Sequence, residues 1–476
     1  MLPIFRHSSA NLSKYCCESN SNCSKSHSIP KLGVSQNTKK RSEEMESVDA
    51  QSDLQSGYAT PESEVLYGRQ TQLGVMNFGT PRRRFADVPA LIRSYAHVKG
   101  AAASANLTLG VLDSTRAQSI QDAVSEILAG RHDQQFPTAL VLGGGGTTSN
   151  MNVNEVIANR ASQLAGTDVH PNDHVNASQS TNDTYPTAMA LTVLELSAPV
   201  VAAVEDLIAA LERKATEFAE VRRLGRTCLQ DAVTLTVGQT HQGQATGLKR
   251  GVTSLQEALK ELTAVPLGAT VLGTGIGAPE GYSELAVAEL SRTTGLPLTV
   301  NDDFFDALAH LDTYAAVASA VARIATLMAK IAADFRLLSS GPGGGLAELT
   351  LPAVQAGSSI MPGKINPAIP EFVMQLSYRI RGASHTVEAA VAAGELELNV
   401  MEPVIVDALI DMFDDLTGAA TVFTERCVNG LEWNGQRLES NADEGYDKWV
   451  ALAAEEGYDA AAAQVRSSRA AKTQGV

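Results

Sequence analysis

An apolar seam at helical spacing between residues 317 and 338 constrains the fold most strongly. Its members lie alternately four and three residues apart, the heptad pattern of a long helix that packs against another helix. They are Val317, Val321, Ile324, Met328, Ile331, Phe335 and Leu338. Two further apolar stripes run through residues 200–218 and 405–423. Long helices with narrow apolar faces predict an all-α, long-helix bundle, and the seam also favours association into an oligomer.

Composition and charge exclude two classes of partner. The chain has 476 residues, of which 44% are hydrophobic, so it can bury a large core. Its 37 basic and 53 acidic side chains give a formal charge of 37 − 53 = −16. Nucleic-acid recognition needs a basic surface, so we expect no nucleic-acid partner. Charged residues interrupt the most apolar stretches, 187–211 and 313–338, short of the roughly 18 residues typical of a membrane span, which predicts a soluble protein without a membrane partner.

The first 41 residues differ in composition from the rest of the chain. They hold seven Lys or Arg, nine Ser and the single acid Glu18, so the remainder carries 30 − 52 = −22. We predict that residues 1–61 form either a disordered extension or a targeting peptide. Five cysteines without a disulfide framework or metal spacing favour a reducing compartment. The expected location is the cytoplasm, or mitochondria if residues 1–41 are a transit peptide.

Four polar segments interrupt the helical pattern with small hydroxyl and amide side chains. They are residues 146–155, 178–183, 225–231 and 357–367. Such side chains, together with loop N–H groups and a lysine, are the donors that hold carboxylate oxygens, so we predict a small di- or tricarboxylate substrate. The glycine clusters match neither a dinucleotide fingerprint nor a P-loop. Because no His, Cys or carboxylate cluster has convincing metal-ligand spacing, we expect no cofactor and no metal.

The last of these segments carries a resemblance to a known family. It reads Gly357-Ser-Ser-Ile-Met-Pro-Gly-Lys-Ile-Asn-Pro367, which is the signature loop of the fumarase/aspartase superfamily. Asn150-Met-Asn-Val-Asn-Glu155 and the segment from His170 to Asp183 resemble the first two substrate segments of that superfamily. Residues 369–371 and 393–403 are more similar to aspartate ammonia-lyases than to fumarate hydratases. The resemblance covers residues 62–465 and implies a β-elimination that yields fumarate or a close analogue.

The resemblance also implies a role for each candidate residue. Ser358 would be the general base that removes a proton next to a carboxylate, with Lys364 as the nearby cation and an aci-carboxylate as intermediate. The carboxylate on the carbon that bears the leaving group would be held by Lys364, Asn366 and Thr227. The other carboxylate would be held by Thr147, Ser180, Thr181 and Ser359. Two side chains, Asn182 and Cys228, would lie near the leaving group.

The family fold implies a three-domain protomer in a homotetramer whose active sites are composite, with the signature loop and the other polar segments supplied by different subunits. We place the domain boundaries so that residues 62–182 form an N-terminal lyase domain and residues 183–436 the central helical bundle. Residues 437–476 form a C-terminal domain shorter than the family pattern implies. Oligomerisation would then be required for activity.

Three departures limit how far the family pattern can be transferred to this chain. Cys228 stands where the family usually has a histidine, and we expect a buried, small apolar residue there. His241 could supply the missing imidazole, but a hydrogen-bonded structural histidine is the preferred interpretation. The segment 341–345 lacks the usual arginine and should be a looser loop.

The leading hypothesis is a carbon–nitrogen lyase that converts L-aspartate to fumarate and ammonia. A fumarate hydratase is the main alternative, and the segment Thr184-Tyr-Pro-Thr-Ala-Met189 favours it. Because Cys228 replaces the usual histidine, a repurposed member of the superfamily that eliminates another leaving group is a second alternative. A catalytically inactive binding protein is the third, although the presence of Ser358, Lys364 and Asn366 argues against it.

Overall fold

The computed structural model describes residues 65–474, with side chains to residue 468. The predicted extension at 1–61 lies outside the described residues. The α-helices are α1 (Arg69–Phe78), α2 (Pro89–Thr108), α3 (Ser114–Leu128), α4 (Thr147–Ala165), α5 (Thr181–Glu217), α6 (Val237–Glu261), α7 (Tyr282–Thr294), α8 (Phe304–Ala309), α9 (Asp312–Leu338), α10 (Ala368–Val391), α11 (Glu402–Arg426), α12 (Gly435–Ala442), α13 (Asp447–Glu456) and α14 (Tyr458–Gln474). The strands are β1 (Arg222–Thr227), β2 (Gln230–Thr236), β3 (Ala264–Val265), β4 (Thr299–Val300), β5 (Leu349–Thr350) and β6 (Glu432–Trp433).

Five long helices form the centre of the described chain. Helix α9 packs against α6 and α10, α11 packs against α10 and α5, and α5 packs against α6. The strands form three pairs, of which β1–β2 and β5–β6 are antiparallel and β3–β4 is parallel. The prediction of an all-α, long-helix bundle is therefore confirmed.

The apolar seam lies on α9, and all seven of its side chains are buried. Its neighbour on one side is α6, whose glycines leave room for two bulky residues of α9. A Cβ on Gly251 would lie 2.7 Å from Ile324 Cγ1, and one on Gly247 would lie 2.6 Å from Leu327 Cδ2. The seam thus finds its partners within the same chain. A heptad pattern shows that a helix has a partner and not which chain supplies it, so association into an oligomer stays a prediction.

Helices α5 and α9 are long and apolar enough to cross a membrane by length and composition. In the fold, 61% of the most apolar window of α5 and 50% of that of α9 are buried against other parts of the chain. Burial against neighbouring helices is the ordinary reason for such a composition in the centre of a bundle. Both helices occupy that position here.

The helices that precede the bundle position the first two polar segments. Helix α2 packs on α3, α5 and α7, and α4 packs on α3 and α1. The Glu155 carboxylate of α4 accepts hydrogen bonds from the backbone N–H groups of Gly68, Gln70 and Thr71, at 2.8, 2.9 and 3.1 Å, and so caps the start of α1. The predicted domain boundary at residue 183 falls in the first turn of α5, and the three-domain division stays a prediction.

Candidate active site

The first polar segment forms the start of helix α4. Gly146 precedes the helix with φ of 78°, and a Cβ there would lie 1.9 Å from the ring of Tyr185, so both the backbone and the space require glycine. Thr147, the first residue of α4, is exposed, and its hydroxyl donates to Gly144 O at 2.9 Å. The unpaired N–H groups at a helix start favour an anion. Thr147 is therefore placed where a carboxylate can be bound.

The second segment joins the first through buried amides. Asn150 Nδ2 donates to Thr181 Oγ1 and to Asn176 Oδ1, each at 3.1 Å. Because the Thr181 hydroxyl accepts this hydrogen bond, its own proton remains available to donate. Asn176 Oδ1 also accepts from Lys99 Nζ at 3.0 Å, and Lys99 is fully buried. Burial lowers the pKa of Lys99 to about 7.

Ser180 and Asp183 form a capping box at the start of α5, with Ser180 as the N-cap. One oxygen of the buried Asp183 carboxylate belongs to this capping box. The other oxygen accepts from Gly268 N at 3.1 Å and from Thr270 N at 2.9 Å. Burial raises the pKa of Asp183 to about 7. Asn182, in the same turn, donates from Nδ2 to Val271 O at 2.8 Å. The side chains of Asn182 and Asp183 therefore hold the loop that contains Gly268 beside the second polar segment.

The third segment is the tip of the β1–β2 hairpin. Cys228 and Leu229 form its two-residue turn with φ values of 53° and 59°, the positive values that a type I′ turn requires. Thr227, at the end of β1, is exposed, and so is Cys228. The expectation of a buried Cys228 was wrong, because the residue lies in the turn between two strands rather than on the inner face of one. Its thiol is accessible to a ligand.

His241 has a structural role, as preferred from the sequence. It is fully buried on α6, and its Nε2 accepts from the Trp433 indole N–H at 3.1 Å. Its Nδ1 lies 3.0 Å from Gln244 Oε1, which assigns the proton to Nδ1. Burial lowers the pKa of His241 to about 4, so the ring is neutral at neutral pH. Because both ring nitrogens are occupied, His241 does not replace the imidazole missing at Cys228.

The signature loop between β5 and α10 organises its own polar side chains. Ser358 Oγ accepts from the backbone N–H of Ile360 at 3.2 Å and of Met361 at 3.0 Å. Lys364 Nζ donates to Asn366 Oδ1 at 2.8 Å, and Asn366 Nδ2 donates to Gly357 O at 2.9 Å. Among the described residues, no hydrogen bond joins Lys364 to Ser358. Lys364 and Ser359 are exposed, and Ser358 and Asn366 are half-buried.

The described chain thus joins some candidate residues through hydrogen bonds and leaves others without such a connection. Thr147, Ser180, Thr181 and Asn182 belong to one cluster at the starts of α4 and α5, linked through Asn150. Within residues 65–474, no hydrogen bond or ion pair connects this cluster to the hairpin tip or to the signature loop. The composite site implied by the resemblance stays a prediction.

Comparison with known proteins decides the family. A family model described as lyase matches residues 57–382. Aspartate ammonia-lyase from Escherichia coli (strain K12) is 42% identical over 384 residues, which is 79% of this chain and 80% of that protein. The chain belongs to the fumarase/aspartase superfamily of lyases. Fumarate hydratase class II from Thermosynechococcus vestitus is 41% identical over 413 residues, which is 85% of this chain and 88% of that protein.

Solved structures of superfamily lyases have the same fold. The fumarate lyase:delta crystallin from Brucella melitensis bound to cobalt has a TM-score of 0.82 and 42% identity, and covers 86% of this chain and 90% of its own. The class II fumarase from Schistosoma mansoni has a TM-score of 0.82 and 34% identity, and the match again covers 86% of this chain and 90% of that protein. The predictions of a superfamily lyase and of the carbon–nitrogen lyase class are confirmed. Residues 65–474 hold no group of three His, Cys, Asp or Glu able to bind a metal.

Two buried charged residues that contact the polar segments of this lyase were not identified from the sequence. Lys99 supports the second polar segment, and Glu348 accepts hydrogen bonds from Arg226 in the third. The signal for Lys99 was a single cation in the alanine-rich stretch 98–105, on a helix face that is otherwise apolar. Glu348 carried no such signal, because its partner lies 122 residues away in the chain.

Proposed function

We propose that this lyase converts L-aspartate to fumarate and ammonia, with Ser358 as the base. The observation that carries the proposal is the geometry of the signature loop. Ser358 Oγ accepts two backbone N–H groups and has no acceptor of its own among the described residues. Two fixed donors stabilise an oxyanion, so they favour the proton loss that a hydroxyl base must undergo. The 42% identity to the aspartate ammonia-lyase of Escherichia coli supports the same substrate.

The reaction begins with removal of a proton from the carbon next to a carboxylate. That proton is weakly acidic, and its loss places a second negative charge on the carboxylate, giving an aci-carboxylate. Thr147, Ser180, Thr181 and Ser359 are proposed to donate hydrogen bonds to it. The free hydroxyl proton of Thr181 and the N–H groups at the start of α4 fit this role, because they are already oriented before the charge develops.

The second carboxylate is proposed to bind Lys364, Asn366 and Thr227. Lys364 Nζ and Asn366 Oδ1 are joined at 2.8 Å, so the ammonium group is held at a fixed point of the loop. Collapse of the aci-carboxylate breaks the bond between carbon and nitrogen, and ammonia leaves near Asn182 and Cys228. The exposed thiol at position 228 is a weak donor and acceptor, so it offers the leaving amine little stabilisation.

A homotetramer with composite sites completes the proposal. The cluster at the starts of α4 and α5, the hairpin tip and the signature loop do not contact one another through hydrogen bonds in the described chain. Bringing these three segments from neighbouring copies to one point would supply both carboxylate sites and the base. No cofactor has a part in these steps.

The experiment is a substrate panel on the purified full chain. L-Aspartate, L-malate and substituted relatives of each are supplied in turn, and the unsaturated product is followed by ultraviolet absorbance. We expect turnover with L-aspartate and release of one ammonia per fumarate. Turnover with L-malate alone would replace the proposal by fumarate hydration, and turnover with neither, in an intact oligomer, would support a non-enzymatic role.

A further inference from the structure

One buried carboxylate joins the β1–β2 hairpin to two other parts of the protein. Glu348, directly before β5, is fully buried. Its Oε2 accepts from Arg226 Nη1 at 3.0 Å, and its Oε1 accepts from Arg226 Nη2 at 2.5 Å and from Asn441 Nδ2 at 2.6 Å. Two parallel N–H···O bonds fix the relative orientation of a guanidinium and a carboxylate, which a single contact does not.

Arg226 lies next to the proposed substrate contact. Successive residues of a strand point to opposite faces, so when Arg226 points to Glu348 in the interior, Thr227 points to solvent. The tight turn at Cys228 and Leu229 follows immediately. The ion pair therefore fixes the backbone at Arg226, one residue before the proposed substrate contact at Thr227.

Glu348 is itself held firmly. Its backbone N–H donates to Leu338 O at the end of α9, and its backbone carbonyl accepts from Asn434 N, both at 2.9 Å. Asn441, the other side chain that donates to this carboxylate, belongs to α12. The carboxylate thus connects the hairpin to the end of a bundle helix and to the C-terminal segment.

The C-terminal segment also holds the second strand of the hairpin. Asp447 accepts from Thr234 N at 3.1 Å and from Thr234 Oγ1 at 3.0 Å, and Tyr446 N donates to Ala232 O at 3.0 Å. The pairing register between the strands shifts at this point, between Leu224 and Arg226. Contacts on both strands leave the two-residue turn as the free end of the hairpin.

A second cation makes the carboxylate difficult to replace. Arg223 Nη2 lies 3.9 Å from Glu348 Oε2, and its Nη1 donates to Thr240 Oγ1 at 3.2 Å. The side chains of both arginines are mostly buried, with 11% and 14% exposed. Removing the negative charge would leave two mostly buried guanidinium groups without the carboxylate that both of them approach.

We propose that Glu348 is a positioning residue for the lyase reaction, which through Arg226 holds Thr227 where it contacts the substrate carboxylate. The inference rests on the proposed function, since the contact of Thr227 belongs to that proposal. It adds that a residue remote from the substrate, together with the C-terminal segment, determines the geometry of that contact.

The first test measures the mobility of the hairpin tip in the absence of substrate. A spin label is attached to Cys228 in the full chain after the other four cysteines are replaced, and its mobility is measured by electron paramagnetic resonance. Glu348→Gln is expected to increase the mobility, because its amide directs N–H donors at the guanidinium donors of Arg226. Unchanged mobility would overturn the positioning role.

Glu126→Gln is the matched control for this test. Glu126 accepts from Arg160 Nε at 2.6 Å and from Arg160 Nη2 at 2.8 Å, so it also forms a two-point ion pair, between α3 and α4. The control is expected to leave the label at Cys228 unaffected. Equal mobilisation by both variants would indicate general loosening and would also contradict the proposal.

The second test is kinetic and uses Thr227→Val. Glu348→Gln is expected to raise KM for L-aspartate about tenfold while kcat changes less, because the substrate carboxylate loses a correctly placed donor. In the Thr227→Val background the same substitution should produce no further rise in KM. Multiplying effects would show that Glu348 does not act through Thr227 and would overturn the inference. A wild-type chain inactive on L-aspartate would refute the proposed function, whereas the label would still report on the hairpin.

Discussion

At the scale of single residues, His241 makes stability depend on pH in a defined direction. Its pKa is 6.5 in the unfolded chain and about 4 in the fold, so the unfolded chain binds more protons between these values. Stability is therefore fully present above pH 6.5 and is lost as pH falls towards 4. The full effect is about 3 kcal/mol.

The check is His241→Gln, whose side-chain oxygen can still accept from Trp433. We expect the variant to be less stable at neutral pH, because the ring packing against Phe335 and Trp433 is lost. We also expect its unfolding midpoint in urea to fall less than that of the wild type between about pH 6.5 and 4.5. Parallel pH profiles for both proteins would show that His241 is not the group responsible.

Residues differ in how far the sequence alone could assign them. Ser358, Lys364 and Asn366 form one contiguous motif whose partners lie within nine residues, so their proximity followed from the sequence. Lys99 bonds to Asn176 and Gln179, 77 and 80 residues away, and only the folded chain reveals such partners. Cys228 was misplaced because a thiol can lie in a core or in a turn.

At the scale of elements, the glycines of α6 determine how closely it approaches α9. Gly251→Ala is expected to destabilise the protein by about 1–3 kcal/mol, because the new methyl group would overlap Ile324. Alanine favours a helix, so helix propensity alone gives the opposite sign. The measurement is the free energy of unfolding in denaturant.

Gly243→Ala is the matched control in the same helix. A Cβ at position 243 would meet no atom within 4 Å, so only the helix propensity changes. We expect this variant to be stabilised by about 0.5–1 kcal/mol. If both variants shift stability in the same direction, close packing of α6 on α9 is not what the glycines provide.

Periodicity predicted the long elements well and their neighbours poorly. The stripes at 200–218, 317–338 and 405–423 lie on α5, α9 and α11, because an apolar repeat over many turns has few alternative structures. Which helix covers each stripe depends on the glycines and bulky residues of the partner, as Gly251 and Ile324 illustrate. The seam packs against helices of the same chain, and the association into an oligomer that it also favours stays a prediction.

At the scale of the whole molecule, an acidic protein has to bind an acidic substrate. Residues 42–476 carry a formal charge of −22, so the overall field opposes a dicarboxylate. Lys364 and the donors at two helix starts would act against this field only if they meet at one point. A composite site is the whole-molecule consequence of the proposed function.

Complementation between two inactive variants tests that consequence. Thr181→Val and Ser358→Ala are each expected to lack activity, while an equal mixture reassembled after dissociation should regain about a quarter of the wild-type activity. The reason is that half of the copies supply each intact segment. Reassembly of each variant alone is the control, and a mixture that stays inactive would place both residues of a site in one chain.

The most direct test of the central claim is the turnover of L-aspartate by Ser358→Ala, with Ser359→Ala alongside in the same loop. We predict that Ser358→Ala lowers kcat about 10³-fold or more, with helix content and oligomeric state unchanged, and that Ser359→Ala retains more activity. Turnover by Ser358→Ala near the wild-type rate would contradict the assignment of Ser358 as the base.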